Sequence, residues 1–385
     1  MILISLDTVG ADHMSLYGYP RRTTPFLSRL AREWVTFENA SSNGGYTLPS
    51  HFSMFTGAFP TTHGIVDAGG TSVLSPKLRT LAEYLKEAGY ATHWMGPVDS
   101  RWLDHRRGLA RGMDFKTDPG GGRDVEQRLV TAALRKLASK KFFLFFHTYL
   151  AHTPYFPKPP HDRAFGGSSR DELRLEPGKW GDADRFLKAF DFSRAEDRAR
   201  FQALYDGALL DVDERLESFI GGLKALGLYD DALIVITGDH GDEFWEHGAI
   251  FHTQLHRELL HVPLLMKLPG VAPARVSEPV LSVDIVPTVL EALGLAGGPN
   301  VDGKSLLGLA RGVPLRRESY ATATTMGQTA IWDRKWKLIL SDAGEAQLFD
   351  LEGDPKEREN VSSAHSGVVL AMRTALEALR LRRMR

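Results

Sequence analysis

Short apolar runs alternate with amphipathic stretches along most of the chain, and this alternation limits the possible folds. The apolar runs are mostly rich in β-branched or aromatic residues, which favours strands: ILISL (2–6), ATHWM (91–95), KFFLFFHTYL (141–150), ALIVIT (232–237) and VPLLMKL (262–268). Helical patterns occupy 24–33, 78–89, 124–139, 200–227 and 283–294. Strands that alternate with helices predict an α/β fold in which helices cover both faces of a mostly parallel sheet.

The pattern changes near Ser319. Shorter alternating segments follow, namely SYATATT, TAIWD and WKLILSD, and a helical pattern runs from about Ser366 to Arg385. These segments predict a small antiparallel sheet with one helix. We therefore predict a large α/β domain over 1–310 and a small α+β subdomain over 311–385 that packs on it.

Composition excludes several classes of function. The chain has no cysteine, so it contains no disulfide, no thiolate metal site and no cysteine nucleophile. Its net charge of -1 gives no electrostatic basis for binding nucleic acid or an anionic membrane. The first apolar run is too short to span a bilayer and lacks the flanks of a signal peptide. We expect a cytoplasmic protein, or a periplasmic or secreted one if an export signal was removed.

Groups capable of chemistry follow the predicted strands. Acidic residues and histidines lie at three strand ends: Asp7, His147, His152, Asp239 and His240. An aspartate there is often only a cap or turn former, and a lone histidine is more often a packing residue. Ligands of parallel sheets bind at the carboxyl ends of the strands. Together with the hydroxyl of Thr47 in GGYTLPSHFSMFTG, these residues predict one shared site.

The motifs around these residues resemble those of sulfatases in the alkaline phosphatase superfamily. The resemblance is carried by ILISLDTVGADHMSLYGYPRRTTPFLSRLAREWVTFENA, TLPSHFSMFTGAFPTTHGI, FHTYLAHTPYFPKPP, YDGALLDVDERL, TGDHGDEFWEHG, HTQLHRELLHVPLLMKLPG and QLFDLEGDPKERENV. It runs in order from Ile2 to about Val361. It implies an alkaline-phosphatase-like fold and an enzyme that hydrolyses phosphoric or sulfuric esters.

The resemblance also implies a metal site. The family's ligand positions match Asp7, Thr47, Asp239 and His240 in this chain. We expect one divalent ion there, and the imidazole in the set favours Mn²⁺ or Zn²⁺ over Ca²⁺ or Mg²⁺. Many sulfatases carry a second aspartate where this chain has Thr8. A second metal bound by Asp206 with two histidines is less favoured.

Thr47 departs from the sulfatase pattern. Sulfatases place a cysteine or serine there, which maturation converts to formylglycine, and threonine is not a known substrate of that conversion. Phosphatases, phosphodiesterases and phosphotransferases of the superfamily use unmodified threonine or serine at this position. The resemblance therefore implies that Thr47 attacks phosphorus, because a metal can lower the pKa of its hydroxyl.

Several histidines have predicted roles. His51 stands where many sulfatases have arginine, and we expect it to orient Thr47 or to stabilise developing charge. His152 and His252 match positions around the transferred group and the leaving oxygen, and one of them is predicted to protonate that oxygen. We expect structural roles for the remaining histidines that the motifs contain: His63, His147, His247 and His256.

The predicted function is metal-dependent hydrolysis of phosphate monoesters, diesters or phosphonate esters through Thr47. The alternatives are sulfate-ester hydrolysis, transfer of a phospho-group to an alcohol, and a non-catalytic sulfatase-like role, which the intact ligand set disfavours. The expected substrate is a small or glycan-linked anionic ester, with no nucleic acid or membrane span involved. The long segment 152–198 is predicted to form a wall of the site.

Overall fold

The computed structural model describes residues 1–98, 100, 102–119, 123–168, 183–298, 301–315, 317 and 321–382. Part of the predicted wall, 169–182, lies outside these residues. The described strands are β1 (Ile2–Leu6), β2 (Val35–Ser41), β3 (Ala91–Met95), β4 (Phe115–Thr117), β5 (Phe142–Thr148), β6 (Ile234–Gly238), β7 (Glu243–Phe244), β8 (Ile250–Phe251), β9 (His261–Lys267), β10 (Ala274–Val276), β11 (Val280–Leu281), β12 (Ala321–Thr325), β13 (Gln328–Trp332), β14 (Trp336–Ser341) and β15 (Ala346–Asp350).

A mixed, mostly parallel sheet forms the centre of the molecule. Its strands follow the order β10-β2-β9-β6-β1-β5-β3-β4, and β11 pairs with β2 beside β10. The two pairs made by β9 are antiparallel, whereas the other described pairs of this sheet are parallel. Strands β6, β1 and β5 are therefore three parallel neighbours whose carboxyl ends meet at one edge.

Helices cover both faces of this sheet. They are α1 (Pro25–Leu30), α2 (Thr47–Thr56), α3 (Pro60–His63), α4 (Leu81–Glu87), α5 (Arg123–Leu137), α6 (Ala183–Lys188), α7 (Ala195–Ala225), α8 (Arg257–Leu260), α9 (Ile285–Ala292), α10 (Leu307–Ala310) and α11 (Ser366–Arg382). Successive strand residues face opposite sides. In β1, Leu3 belongs to the apolar core that contains α2, α4 and α9, whereas Ile4 belongs to the core that contains α1, α5 and α7. The predicted fold class is confirmed.

The small C-terminal sheet is also present. Strands β12 to β15 form a four-stranded antiparallel sheet in chain order. One face packs against α11 through Leu338, Leu348 and Met372. The opposite face includes Ile339 and packs against Leu255, which precedes α8. The C-terminal sheet is therefore in contact with the segment that joins β8 to β9, and we retain 311 as the proposed start of this subdomain.

Candidate active site

The ends of the three central parallel strands bring the predicted site residues together. Leu6, the last residue of β1, pairs with Thr148 of β5 on one side and with Gly238 of β6 on the other. Asp7 therefore follows β1 at the same level at which Asp239 follows β6. The register places both carboxylates at one edge of the sheet, as the alternation of strands and helices predicts.

The structure places Asp7, Asp239 and His240 in one buried cluster. The Nε2 atom of His240 lies 3.8 Å from Oδ1 of Asp7 and 3.6 Å from Oδ2 of Asp239. None of these three atoms has a hydrogen-bond partner, although all are buried. Two atoms that each lie about 2.1 Å from one zinc ion are at most about 4.2 Å apart. The distances and the unpaired atoms therefore fit a single divalent ion.

Hydrogen bonds orient the three residues for this role. The Nδ1 atom of His240 donates to the carbonyl oxygen of Gly241 at 2.9 Å, which leaves Nε2 as the ring nitrogen for a metal. The Oδ1 atom of Asp239 accepts from the backbone nitrogens of His240 and Thr8, at 2.8 and 3.2 Å. The opposite oxygen of Asp239 is thereby turned toward His240.

The pKa values show the cost of holding these charges in the protein interior. Burial first, and the Asp7 carboxylate second, raise the pKa of Asp239 well above its usual value. Burial also opposes ionisation of Asp7, but the imidazoles of His152 and His147 hold the pKa of Asp7 below its usual value. Burial lowers the pKa of His240 to about 4, so its ring is neutral and able to bind a metal at neutral pH. A divalent cation would favour ionisation of both carboxyls.

Thr8 does not supply a ligand through its side chain. Its hydroxyl donates to the carbonyl oxygen of Ala151 at 2.9 Å. Its backbone adopts φ 57°, a left-handed conformation that is rare for a β-branched residue. The hydroxyl of Tyr205 donates to the Thr8 carbonyl oxygen at 2.7 Å and holds this conformation. Thr8 thus contributes a backbone donor to Asp239, where many sulfatases have a second acid.

Thr47 is the first residue of α2 and is almost fully buried. A tight turn precedes it, because a Cβ atom on Gly44 would overlap the backbone of Ser50. The hydroxyl of Ser50 donates to the carbonyl oxygen of Asp239 at 2.6 Å. This bond fixes the first turn of α2 against the Asp7/Asp239/His240 cluster, and Thr47 lies in that turn.

His51 lies one turn after Thr47 and is fully buried. Its Nδ1 atom donates to the carbonyl oxygen of Thr47 at 2.8 Å and lies 3.7 Å from Oδ2 of Asp239. Burial lowers the pKa of His51 to about 3, so the ring is neutral at neutral pH. Of the two predicted roles of His51, orientation of Thr47 fits these contacts better than charge stabilisation.

His147 lies in the site, although the sequence interpretation counted it among the structural histidines. Its Nε2 atom is 3.1 Å from Oδ2 of Asp7, and its Nδ1 atom is 3.1 Å from the hydroxyl of Ser5. The same hydroxyl is 3.0 Å from Nε2 of His51. Ser5 and His147 therefore join Asp7 to the helix that carries Thr47. The available signal was the position of His147 at the end of a buried strand.

The predicted histidines 152 and 252 lie side by side at the open side of the cluster. Their ring centroids are 5.7 Å apart, and the ring of His252 is 4.8 Å from that of His240. The Nδ1 atom of His252 donates to Oδ1 of Asp242 at 2.9 Å. Burial lowers the pKa of His252, but the nearby carboxylates, Asp242 first and then Asp7 and Glu243, together outweigh burial, so the pKa lies above its usual value.

The geometry does not support a second metal in the described residues. Asp206, which the sequence suggested beside two histidines of the site, accepts instead from His13, Tyr19 and Arg21, at 2.9, 2.9 and 2.7 Å. The spacing of His51, His147 and Asp239 would also admit an ion. However, the ring nitrogens of both histidines are already hydrogen-bonded to protein atoms, so they are not available as ligands in this arrangement.

The other histidines of the motifs make structural contacts. His63 lies 3.1 Å from the hydroxyl of Ser53 on α2. His247 and His256 stack with ring centroids 3.6 Å apart. Glu357 joins this pair to the C-terminal sheet: its carboxylate accepts from His256 at 3.0 Å and from Nζ of Lys337 at 2.7 Å, and its carbonyl accepts from His247 at 2.8 Å. We call His247, His256, Lys337 and Glu357 the Glu357 brace.

Fold, site and sequence profiles together define a hydrolase of the alkaline phosphatase-like superfamily, with a cluster that could hold a metal ion at the edge of a mostly parallel sheet. The sequence profile of the Sulfatase family matches residues 1–295, and that of N-sulphoglucosamine sulphohydrolase, C-terminal, matches residues 245–382. The chain belongs to the sulfatase family, whose members hydrolyse esters and use a divalent metal.

Curated relatives extend over most of the chain. It is 25% identical over 411 residues to the choline-sulfatase of Rhizobium meliloti (strain 1021), which covers 90% of this chain and 78% of that protein. It is 25% identical over 446 residues to arylsulfatase K of Mus musculus, which covers 98% of this chain and 79% of that protein. These relatives are named as sulfatases, in agreement with the family.

Solved structures share the fold. The phosphonate monoester hydrolase of Agrobacterium radiobacter superposes with a TM-score of 0.79 at 21% identity, over 99% of this chain and 95% of that one. The structure of the protein BT4656 in complex with its substrate D-glucosamine-2-N,6-O-disulfate superposes with a TM-score of 0.76 at 20% identity, over 100% of this chain and 98% of that one. Among the described residues, no helix has the length and apolar character needed to cross a membrane.

Proposed function

We propose that this protein hydrolyses phosphate monoesters, phosphate diesters or phosphonate esters, with Thr47 as the nucleophile and one divalent ion bound by Asp7, Asp239, His240 and Thr47. The observation that carries the proposal is a threonine in the first turn of α2, fixed against the Asp7/Asp239/His240 cluster, in a chain without cysteine. The solved phosphonate monoester hydrolases with this fold are consistent with it.

In the first step, the Thr47 hydroxyl loses its proton to solvent water, and its oxygen forms a bond to phosphorus while the bond from phosphorus to the leaving oxygen breaks. The electron pair stays with the leaving oxygen, which takes a proton from His252 or His152. The bound ion would lower the pKa of the threonine hydroxyl and offset charge on the ester oxygens. His51 holds the Thr47 carbonyl, and so limits movement of the turn that carries the nucleophile.

In the second step, water attacks the phosphothreonine. The new oxygen–phosphorus bond forms, the bond to Thr47 breaks, and the threonine oxygen regains a proton from solvent water. The histidine that gave its proton in the first step now accepts one from water, as microscopic reversibility requires. No group beyond the residues of this site, the ion and water is needed.

Sulfate esters are the second candidate substrates, because the curated relatives include a choline-sulfatase and arylsulfatases. A sulfated threonine lacks the geminal hydroxyl through which formylglycine enzymes expel sulfate. Cleavage of sulfate esters through Thr47 would therefore need direct attack of water on sulfur. We rank this activity below phosphoester hydrolysis for that reason.

The test is a substrate panel on protein loaded with Mn²⁺ or Zn²⁺. We expect 4-nitrophenyl phosphate, bis(4-nitrophenyl) phosphate or 4-nitrophenyl phenylphosphonate to be cleaved faster than 4-nitrophenyl sulfate. Thr47→Ala should lower the best phosphoester rate by about a thousandfold or more, and Thr47→Ser should retain more activity than Thr47→Ala. Thr56→Ala, at the other end of α2, is the matched control.

Two results would contradict the proposal. One is faster cleavage of the sulfate ester than of every phosphoester. The other is that the parent, Thr47→Ala and Thr56→Ala all cleave every phosphoester at the same rate. Addition of an acceptor alcohol distinguishes hydrolysis from transfer, since a transferase would give a phosphorylated alcohol in place of free phosphate or phosphonate.

A further inference from the structure

Asp242 is a buried carboxylate that lies outside the metal-binding cluster and was not singled out by the sequence. Its side chain is fully buried, and both of its oxygens accept hydrogen bonds from side chains. The hydroxyl of Tyr155 donates to Oδ2 at 2.7 Å, and Nδ1 of His252 donates to Oδ1 at 2.9 Å. Asp242 thus joins Tyr155, in the loop that follows β5, to His252, which directly follows β8.

Tyr155 is held rigidly. Its ring is fully buried, with centroids 5.1 Å from Phe201, 5.3 Å from Tyr205 and 6.0 Å from Phe186. These rings belong to α6 and α7, which cover one face of the main sheet. A hydroxyl carried by so confined a ring fixes the Asp242 oxygen that it contacts.

The consequence for His252 is a fixed tautomer. A carboxylate oxygen only accepts, so Nδ1 of His252 carries a hydrogen in both the neutral and the protonated ring. Nε2 is the ring nitrogen left for a substrate, and it carries a hydrogen only in the imidazolium form. The His252 side chain is 21% exposed, whereas Asp242 is closed to solvent. The ring therefore has one end fixed in the protein and its other end toward the open side, between His240 and His152.

We propose that Asp242, held by Tyr155, is a positioning residue that fixes the ring of His252 so that Nε2 meets the leaving oxygen of the ester. This inference rests on the proposed function and deepens it, because it selects His252 over His152 as the group that hands a proton to that oxygen. His252 enters that step as an imidazolium with a hydrogen on each ring nitrogen: its Nε2–H bond breaks, the hydrogen bonds to the leaving oxygen, and the bond from phosphorus to that oxygen breaks as the Thr47 oxygen bonds to phosphorus. The ring is left neutral, with its hydrogen on Nδ1.

The leaving group supplies the kinetic test. A 4-nitrophenolate ion departs without a proton, whereas an alkoxide requires one, so a misplaced proton donor slows alkyl esters more than aryl esters. We would measure the ratio of aryl to alkyl turnover with 4-nitrophenyl and methyl esters of the same phosphorus acid. Tyr155→Phe should raise this ratio about tenfold and Asp242→Asn about a hundredfold, at unchanged metal content.

The matched control is Tyr229→Phe. Tyr229 is also a buried tyrosine whose hydroxyl meets one strong partner, Nε1 of Trp34 at 3.0 Å, but it lies away from the site. This variant should leave the ratio at the parent value. If Tyr155→Phe and Asp242→Asn leave the ratio of aryl to alkyl turnover unchanged, with or without a loss of both rates, the proposal is wrong.

A second measurement does not depend on turnover. In long-range ¹H–¹⁵N spectra of protein with ¹⁵N-labelled histidine, recorded at alkaline pH where the ring is neutral, we expect one signal of the Nδ1–H tautomer that disappears in His252→Gln and shifts or broadens in Asp242→Asn. If the parent cleaves no phosphoester and this signal is present, the proposed function fails and the fixed tautomer stands. If His252 shows the other tautomer, the positioning role fails whatever the activity.

Discussion

The Nε2 atom of His147 lies 3.1 Å from Oδ2 of Asp7, at the carboxyl ends of two paired strands. A carboxylate only accepts hydrogen bonds, so His147 donates to one oxygen of Asp7 and leaves Oδ1 toward His240. Hydrogen bonds to metal-binding carboxylates orient them and tune their affinity for the metal. His147 is therefore placed to orient Asp7 as a proposed metal ligand.

We expect His147→Phe to raise the dissociation constant of Mn²⁺ or Zn²⁺ by about ten- to a hundredfold. The phenyl ring keeps the packing against Phe145 but loses both hydrogen bonds. Metal titration followed by calorimetry or competition with a chelator measures the effect. His63→Phe is the control, because His63 is a buried histidine at the end of α3. If His147→Phe binds the metal as tightly as the parent does, His147 does not support the metal site.

Asp239→Asn should lower metal content at least tenfold, because the atom that it replaces is the unpaired Oδ2. The parent, supplied with metal and then freed of excess ion, should hold one divalent ion per chain by elemental analysis. Asp213→Asn is a close control, since Asp213 is also buried and also accepts from two backbone nitrogens. Metal content that is unchanged in Asp239→Asn would eliminate the proposed site.

Thr47 should be unmodified in the purified protein. Neither residue type that sulfatase maturation converts occupies this position. Peptide mass spectrometry on the fragment containing GGYTLPSHF gives the answer directly, with the fragment around Thr56 as an internal reference. A mass difference that maps to Thr47 would return the formylglycine mechanism to consideration.

The Glu357 brace should contribute to stability. Lys337 and Glu357 are both nearly inaccessible to solvent, at 4% and 3% side-chain exposure. Removal of one partner of such a pair leaves a buried charge and costs about 3 kcal/mol. We expect Glu357→Gln and Lys337→Met each to lower the free energy of unfolding by about this amount, and the double variant to lose less than the sum.

An exposed ion pair provides the control for that cycle. Glu377 and Arg380 on α11 are paired at 2.7 Å but are 61% and 48% exposed. Glu377→Gln should change the free energy of unfolding by less than about 1 kcal/mol. Denaturant unfolding followed by circular dichroism measures all four variants. Additive losses in the Lys337/Glu357 cycle would show that the two residues do not act together.

The central strands could be predicted from the sequence because they are buried on both faces. Strands β1, β5 and β6 contain only buried residues and therefore form continuous apolar runs. Strand β2 was missed, since Glu38 and Asn39 interrupt its apolar pattern where its register shifts between Phe37 and Ala40. Strands β4, β10 and β11 have two or three residues each, too few for a recognisable period.

Individual site residues could be predicted from the sequence where they directly follow a strand. Asp7 and Asp239 satisfy this rule, and the structure brings them together with His240. Asp242 was missed because its partners are contributed by separate loops: Tyr155 is 87 positions away in the chain. No local pattern encodes that approach, which depends on how the aromatic rings of α6 and α7 pack around Tyr155.

The Glu357 brace determines when, during synthesis of the chain, the segment around His252 gains all its supporting contacts. Every predicted ligand, the nucleophile and His252 precede residue 260, but Glu357 contacts His256 and His247 from 101 and 110 positions further along the chain. During synthesis, the segment that carries His252 thus remains without its support until Glu357 has left the ribosome. A fragment that ends at residue 310 would contain all the reactive groups and still lack the contact that steadies their neighbour.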